Sequence, residues 1–143
     1  MKPRNKLSLD QALSRMKDLL ESWGVPKNSW VMVDEFAYQL QGYDVRGPEI
    51  EQKHIDVYVD PHSCPWPIKQ ERSIIPTVKG GFLDDWSQFM EKSGYSLDIL
   101  RGTNDVLSLP RVSHQLHDGR TIALMEAHAM TAAFVQKTIM HYS

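Results

Sequence analysis

Eight residues, Lys53 to Asp60, read KHIDVYVD, and their alternation constrains the fold more than any other stretch of the chain. Successive side chains of a strand point to opposite faces. As a strand, the segment carries His54, Asp56, Tyr58 and Asp60 on one face and Ile55, Val57 and Val59 on the other. The apolar face calls for a core. The polar face is either half of a metal site or the wet side of a sheet.

The rest of the chain supplies what such a strand needs around it. SLDQ sets a hydroxyl cap at Ser8 three residues before Gln11, and Leu9, Leu13, Met16, Leu20 and Trp23 then recur at helical spacing up to Gly24. SWVMV, from Ser29 to Val33, is a compact apolar run that reads as a buried strand. DEFAYQLQGY follows as a short helix, with Asp34 and Glu35 at its N-terminus and Gly42 beyond its end. Asp44 to Gln52 reads as a polar loop. DPHSCPWP, with three prolines in eight residues, is irregular, and SIIPTV reads as an edge strand interrupted at Pro76. A second well-defined helix has Leu83, Trp86, Phe89 and Met90 as its apolar face, and Tyr95 to Leu100 forms a strand. RVSHQLHDGRTIAL predicts a hairpin around Asp118-Gly119, and Glu126 to about Tyr142 a final helix. The prediction is one α/β (α+β) domain over residues 1–143, with a mixed, partly antiparallel sheet flanked by helices.

Length and charge narrow the function classes. A chain of 143 residues can bury a core without metal or disulfide staples, so a metal here would serve function. Sixteen basic against 18 acidic residues give a formal charge of -2, which gives no general attraction to nucleic acid or an anionic membrane. A single cysteine, Cys64, cannot form an internal disulfide, so a cytoplasmic setting is the expectation. Neither a secretory signal nor an apolar run of membrane-spanning length is read.

The order of strand and helix in WVMVDEFAYQLQGY, then the carboxylate strand HIDVYVD, then after another helix LDIL with its lone carboxylate, resembles the nucleotidyltransferase fold superfamily. The likeness is to its small bacterial members, related to minimal nucleotidyltransferases, aminoglycoside and lincosamide resistance enzymes, and toxin–antitoxin pairs. It spans roughly residues 29 to 124. The resemblance implies binding of a nucleoside triphosphate at a glycine-containing turn between the first strand and helix. It also implies Mg²⁺ held by two carboxylates one residue apart on a strand and a third from a neighbouring strand. On this sequence Asp56 takes the second carboxylate position, Asp98 is the candidate for the third, and His54 stands where the first is expected. Arg46 and Lys53 are the nearby cations and the candidates for holding the nucleotide.

The sequence departs from that pattern at two places. An imidazole at His54 favours a softer metal than Mg²⁺, or none. Val33 is followed by Asp34-Glu35 rather than a glycine pair, which puts like charge where a triphosphate would rest. The site is thus expected to be degenerate, and two functions stand open: metal-dependent nucleotidyl transfer to an unknown acceptor, and non-catalytic protein binding on the same scaffold. In the second, the apolar surface of the last helix, with Ala127, Met130, Phe134 and Ile139, would meet a protein partner or a second copy. Zinc is disfavoured. His54, Asp56, Asp60, His62 and Cys64 fall at even spacing, but Pro61 and Pro65 break the strand geometry and only one cysteine is present. KGGF, at Lys79 to Phe82, holds the one adjacent glycine pair and reads as a turn.

Overall fold

The computed structural model describes residues 7–63 and 82–133. Helix α1, Leu9–Ser22, begins in a full capping box: Ser8 Oγ accepts the Gln11 N–H at 3.2 Å, and Gln11 Oε1 accepts the Ser8 N–H at 3.1 Å. Its stripe of Ala12, Leu13, Met16 and Leu20 is completely buried. A 3₁₀ turn at Lys27–Ser29 then delivers strand β1, Trp30–Val33, which starts one residue later than predicted because the Ser29 hydroxyl closes the turn on Pro26 O. All four residues of β1 are buried, as expected of the central strand. Helix α2, Asp34–Leu40, follows without a linker.

Strand β2 runs His54–Val59 and β3 Ser96–Arg101, with helix α4, Phe82–Ser93, before β3. The hairpin strands are β4, Arg111–Gln115, and β5, Thr121–Met125. Two single-turn helices are present, α3 at Pro48–Glu51, inside the stretch that reads as a polar loop, and α5 at Asn104–Leu107; one turn is too short to show a periodic stripe. A final helix, α6, runs from 127 to 133 at the end of the described chain. The sheet order is β3-β2-β1-β5-β4. β1 is antiparallel to β2 and parallel to β5, β2 is parallel to β3, and β4 is antiparallel to β5. The class is therefore α+β, with a mixed sheet flanked by helices. Cys64, the SIIPTV segment, Gly80-Gly81 and the Phe134, Val135 and Ile139 part of the last helix lie outside the described residues.

The alternation of KHIDVYVD is realised in space. Ile55, Val57 and Val59 are 0% exposed, and each contributes about 2 kcal/mol of burial. Leu97 and Ile99 continue the same apolar face on β3, and α4 lies against that strand, donating Trp86 Nε1–H to Leu97 O at 2.8 Å. α1 packs on α4, while α2 and α3 pack together and both reach β2. Register places Asp56 beside Asp98 and opposite Val33. The Asp56 carboxylate of β2 thus meets that of Asp34, the first residue of α2.

The hairpin connection is one residue longer than the two-residue turn that Asp118-Gly119 predicts. Leu116 donates its N–H to Arg120 O at 2.7 Å and Gly119 donates to Leu116 O at 3.0 Å, with Gly119 at φ 90°. The loop is His117-Asp118-Gly119, a three-residue connection with glycine in the left-handed position. Its side chains dock on α1: Asp10 accepts from the His117 N–H at 3.0 Å and pairs with its ring, Ser14 donates to Asp118 at 2.6 Å, and Arg120 reaches Asp18. No helix among the described residues is long and apolar enough to cross a membrane.

Candidate functional site

Three chain segments bring carboxylates to one point. Asp34 comes from the β1–α2 junction, Glu49 from α3 and Asp56 from β2, and one oxygen from each lies within 4.8 Å of the other two. Among the described residues this is the one grouping of three or more His, Cys, Asp or Glu side chains close enough to hold an ion. Asp34 and Glu49 are half-buried and Asp56 is only 5% exposed.

Each carboxylate is held there for a local reason. Asp34 has φ 71°, a left-handed backbone for a residue with a side chain. Aspartate tolerates that region better than most residues, at a cost of about 1 kcal/mol or more. The turn lets β1 pass directly into α2. The Asp34 N–H faces Met130 Sδ at 3.2 Å, so α6 closes this side. Glu49 is fixed by an exchange with Glu35. Glu35 Oε1 accepts the N–H groups of Glu49 and Ile50 at 3.1 and 3.2 Å, and the Glu35 N–H donates to Glu49 Oε1 at 3.3 Å. Asp56 is fixed by the β2 ladder, between β1 and β3.

Asp56 cannot stay ionised in these surroundings. Burial, hydrogen bonds with Asp34 and Glu49, the charge of Asp34 and a hydrogen bond with Asp98 push its pKa up to about 12. At neutral pH its carboxyl therefore carries a proton, which it shares with neighbouring carboxylates. A site that must hold a proton to relieve repulsion is one in which a cation could take the proton's place.

His54 and Asp98 stand at the flank of this cluster. His54 Nδ1 lies 3.1 Å from Asp98 Oδ2, with both side chains about one-third exposed or less. Asp98 stands in register beside Asp56 on the neighbouring strand. The three residues that sequence reading singled out on β2 and β3 are thus contiguous. Lys53 and Arg46 are engaged elsewhere: Lys53 Nζ sits 5.4 Å over the Tyr95 ring, and Arg46, 87% exposed, faces Asp44 at 3.6 Å. Asp34, read in the sequence as an obstacle to phosphate, turns out to be a member of the cluster. Glu49 falls inside the stretch that reads as a polar loop, although Gly47-Pro48 followed by acidic residues is itself a helix-start signal.

No family model, curated protein or solved structure matches this chain. Its function must be read from the cluster itself. The donor set is all oxygen, which suits a hard cation, and sulfur and imidazole are absent from it. Two oxygens on opposite sides of an ion stand about 4.2 Å apart for Mg²⁺ and about 5 Å for Ca²⁺. The spacing of Asp34, Glu49 and Asp56 is compatible with a shared ion of this kind.

Proposed function

We propose that this domain binds Mg²⁺ through Asp34, Glu49 and Asp56, and that the bound ion serves transfer of a nucleotidyl group from a nucleoside triphosphate to an acceptor yet to be identified. The observation that carries the reading is the buried Asp56 within reach of two further carboxylates. Two features support the link to nucleotidyl transfer. Asp56 and Asp98 lie in register on adjacent parallel strands, as the family's second and third carboxylates would. The left-handed Asp34 occupies the strand–helix turn at which that family uses glycine. When bound, the ion would stabilise charge on the attacked phosphate and on the leaving pyrophosphate. The chain's own part is to give up the Asp56 proton, to hold Glu49 in place through Glu35, and to keep His54 oriented by Asp98.

A second reading has a specific observation in its favour. Arg46 and Lys53 have partners away from the cluster, and acidic side chains fill the turn where a triphosphate would rest. On that reading the scaffold is a cytoplasmic binding protein with the cation a structural ligand; Ala127 and Met130, the described part of the last helix's apolar face, are buried in the core, so a partner would have to meet another surface.

Calorimetric titration of the wild type and Asp56→Asn with Mg²⁺ or Mn²⁺, with and without each nucleoside triphosphate, separates the readings. The cation reading expects binding that releases about one proton, tightening roughly tenfold per pH unit, and that is lost in Asp56→Asn. Nucleotide binding that requires both the ion and Asp56 supports transfer, whereas cation binding alone supports the scaffold. Absence of cation binding by folded wild type refutes both forms of the site.

A further inference from the structure

Glu35 lies next to Asp34 in sequence and yet is not one of the three clustered carboxylates. Its side chain turns instead to the first turn of α3, where Oε1 accepts two N–H groups, those of Glu49 and Ile50. Its own N–H returns a bond to Glu49 Oε1. Both the backbone and the carboxylate of Glu49 are therefore held by one residue. α3 has only four residues and no side-chain cap of its own from Gly47, so Glu35 is what satisfies its leading N–H groups. Gly47 completes the arrangement. A Cβ there would come within 2.5 Å of Glu35 Oε1 and 2.7 Å of its Cδ and Oε2. Any larger residue would push the Glu35 carboxylate off the two N–H groups it binds.

We infer that Glu35 is a positioning residue for the cation, acting through Glu49, and that Gly47 is the space that lets it do so. The inference rests on the cation reading above. Without Glu35, Glu49 hangs from a one-turn helix with unpaired N–H groups and must pay side-chain entropy to reach the ion. The role needs an acceptor oxygen at this position and does not need its charge.

The test uses Mn²⁺ with the full chain, measuring affinity by titration and the number of metal-bound waters by proton relaxation. Glu35→Ala is expected to weaken Mn²⁺ about 10- to 100-fold, as removal of the group orienting a metal ligand typically does, and to admit about one extra water where Glu49 withdraws. Glu35→Gln, which keeps the acceptor oxygen, is expected to restore both. Gly47→Ala is the second route should Glu35→Ala fail to fold, and is expected to match it. A folded Glu35→Ala or Gly47→Ala with wild-type affinity and wild-type water count overturns the inference. So does a Glu35→Gln as weak as Glu35→Ala, which would mean that charge is what matters. A wild type that binds no Mn²⁺ overturns the cation reading itself, and is told apart by failing before any variant is compared.

Discussion

Replacing Asp56 by asparagine should change how stability responds to pH, and the size of the change follows from where Asp56 sits. In the folded metal-free protein its carboxyl is neutral, because burial and the neighbouring carboxylates raise its pKa from 3.8 to about 12. In the unfolded chain it ionises at its ordinary value. A group whose folded pKa is raised contributes stability that is fully present below the unfolded pKa and is lost as pH rises through the folded one. Between those limits the unfolded state binds one proton fewer, so stability falls by about 1.4 kcal/mol per pH unit. From pH 6 to pH 8 that is roughly 3 kcal/mol from one side chain. Asparagine has nearly the same shape and does not titrate, so Asp56→Asn lacks this slope. At pH 7, roughly three units above 3.8, the variant gains about 4 kcal/mol from this source. Weaker hydrogen bonding to Asp34 and Glu49 offsets about 1–2 kcal/mol of it. Urea unfolding in chelator at a series of pH values between 5 and 9, on both proteins, reads the difference directly. Other titrating groups cancel between the two curves. A wild type and variant whose stabilities run parallel across that range would falsify the protonated Asp56.

Three further outcomes are expected. Gly119→Ala should lower stability by about 1 kcal/mol, seen as a lower Tm, because φ 90° strains a side-chain-bearing residue although open space surrounds a Cβ there. Met32→Ala should cost about 3 kcal/mol in urea unfolding, since Met32 is 0% exposed in the central strand and its removal leaves a cavity in the core. The Asp118 carboxyl titrates well below the usual carboxylate range, first because Ser14 donates to it and then because Arg120 does. Ser14→Ala should move its titration upward, followed by carbon NMR of the carboxyl. Its stabilising effect, present above the ordinary aspartate pKa, is lost as pH falls through the lowered one.

Much of the scaffold is legible in local sequence because its signals are short-range. Ser8 and Gln11 are three residues apart and bond each other; Gly24, Gly42 and Gly94 end helices with positive φ. The alternation in His54 to Val59 needs only the pleat of a strand. Asp56 and Asp98 could be singled out because aspartate is depleted in strands, and register then sets them side by side. Asp34 and Glu49 were hidden for another reason. Fifteen residues separate them in sequence, and their meeting depends on the Glu35–Glu49 exchange and on a left-handed turn at a residue that is not glycine. Neither feature leaves a periodic trace. An acidic pair at a helix N-terminus is read first as favourable to the helix dipole, which fits Asp34 and Glu35 equally well and says nothing of which of them turns inward.

The proton on Asp56 ties the stability of this domain to what it can bind. Asp34, Glu49, Asp56 and Asp98 come together without a lysine or arginine among the described groups that contact Asp56. Among the described residues only His54, beside Asp98, offers a counter-charge, so repulsion around Asp56 is relieved by a proton or by a bound cation. In the metal-free protein it is a proton, and the cost appears as stability that declines with rising pH. A divalent ion supplies the same relief with two charges and leaves all carboxylates ionised. Saturating Mg²⁺ should therefore flatten the pH slope of the wild type and leave that of Asp56→Asn unchanged. If the slope persists in saturating Mg²⁺, the ion is not displacing the Asp56 proton, and the cluster is a structural carboxyl network rather than a cation site.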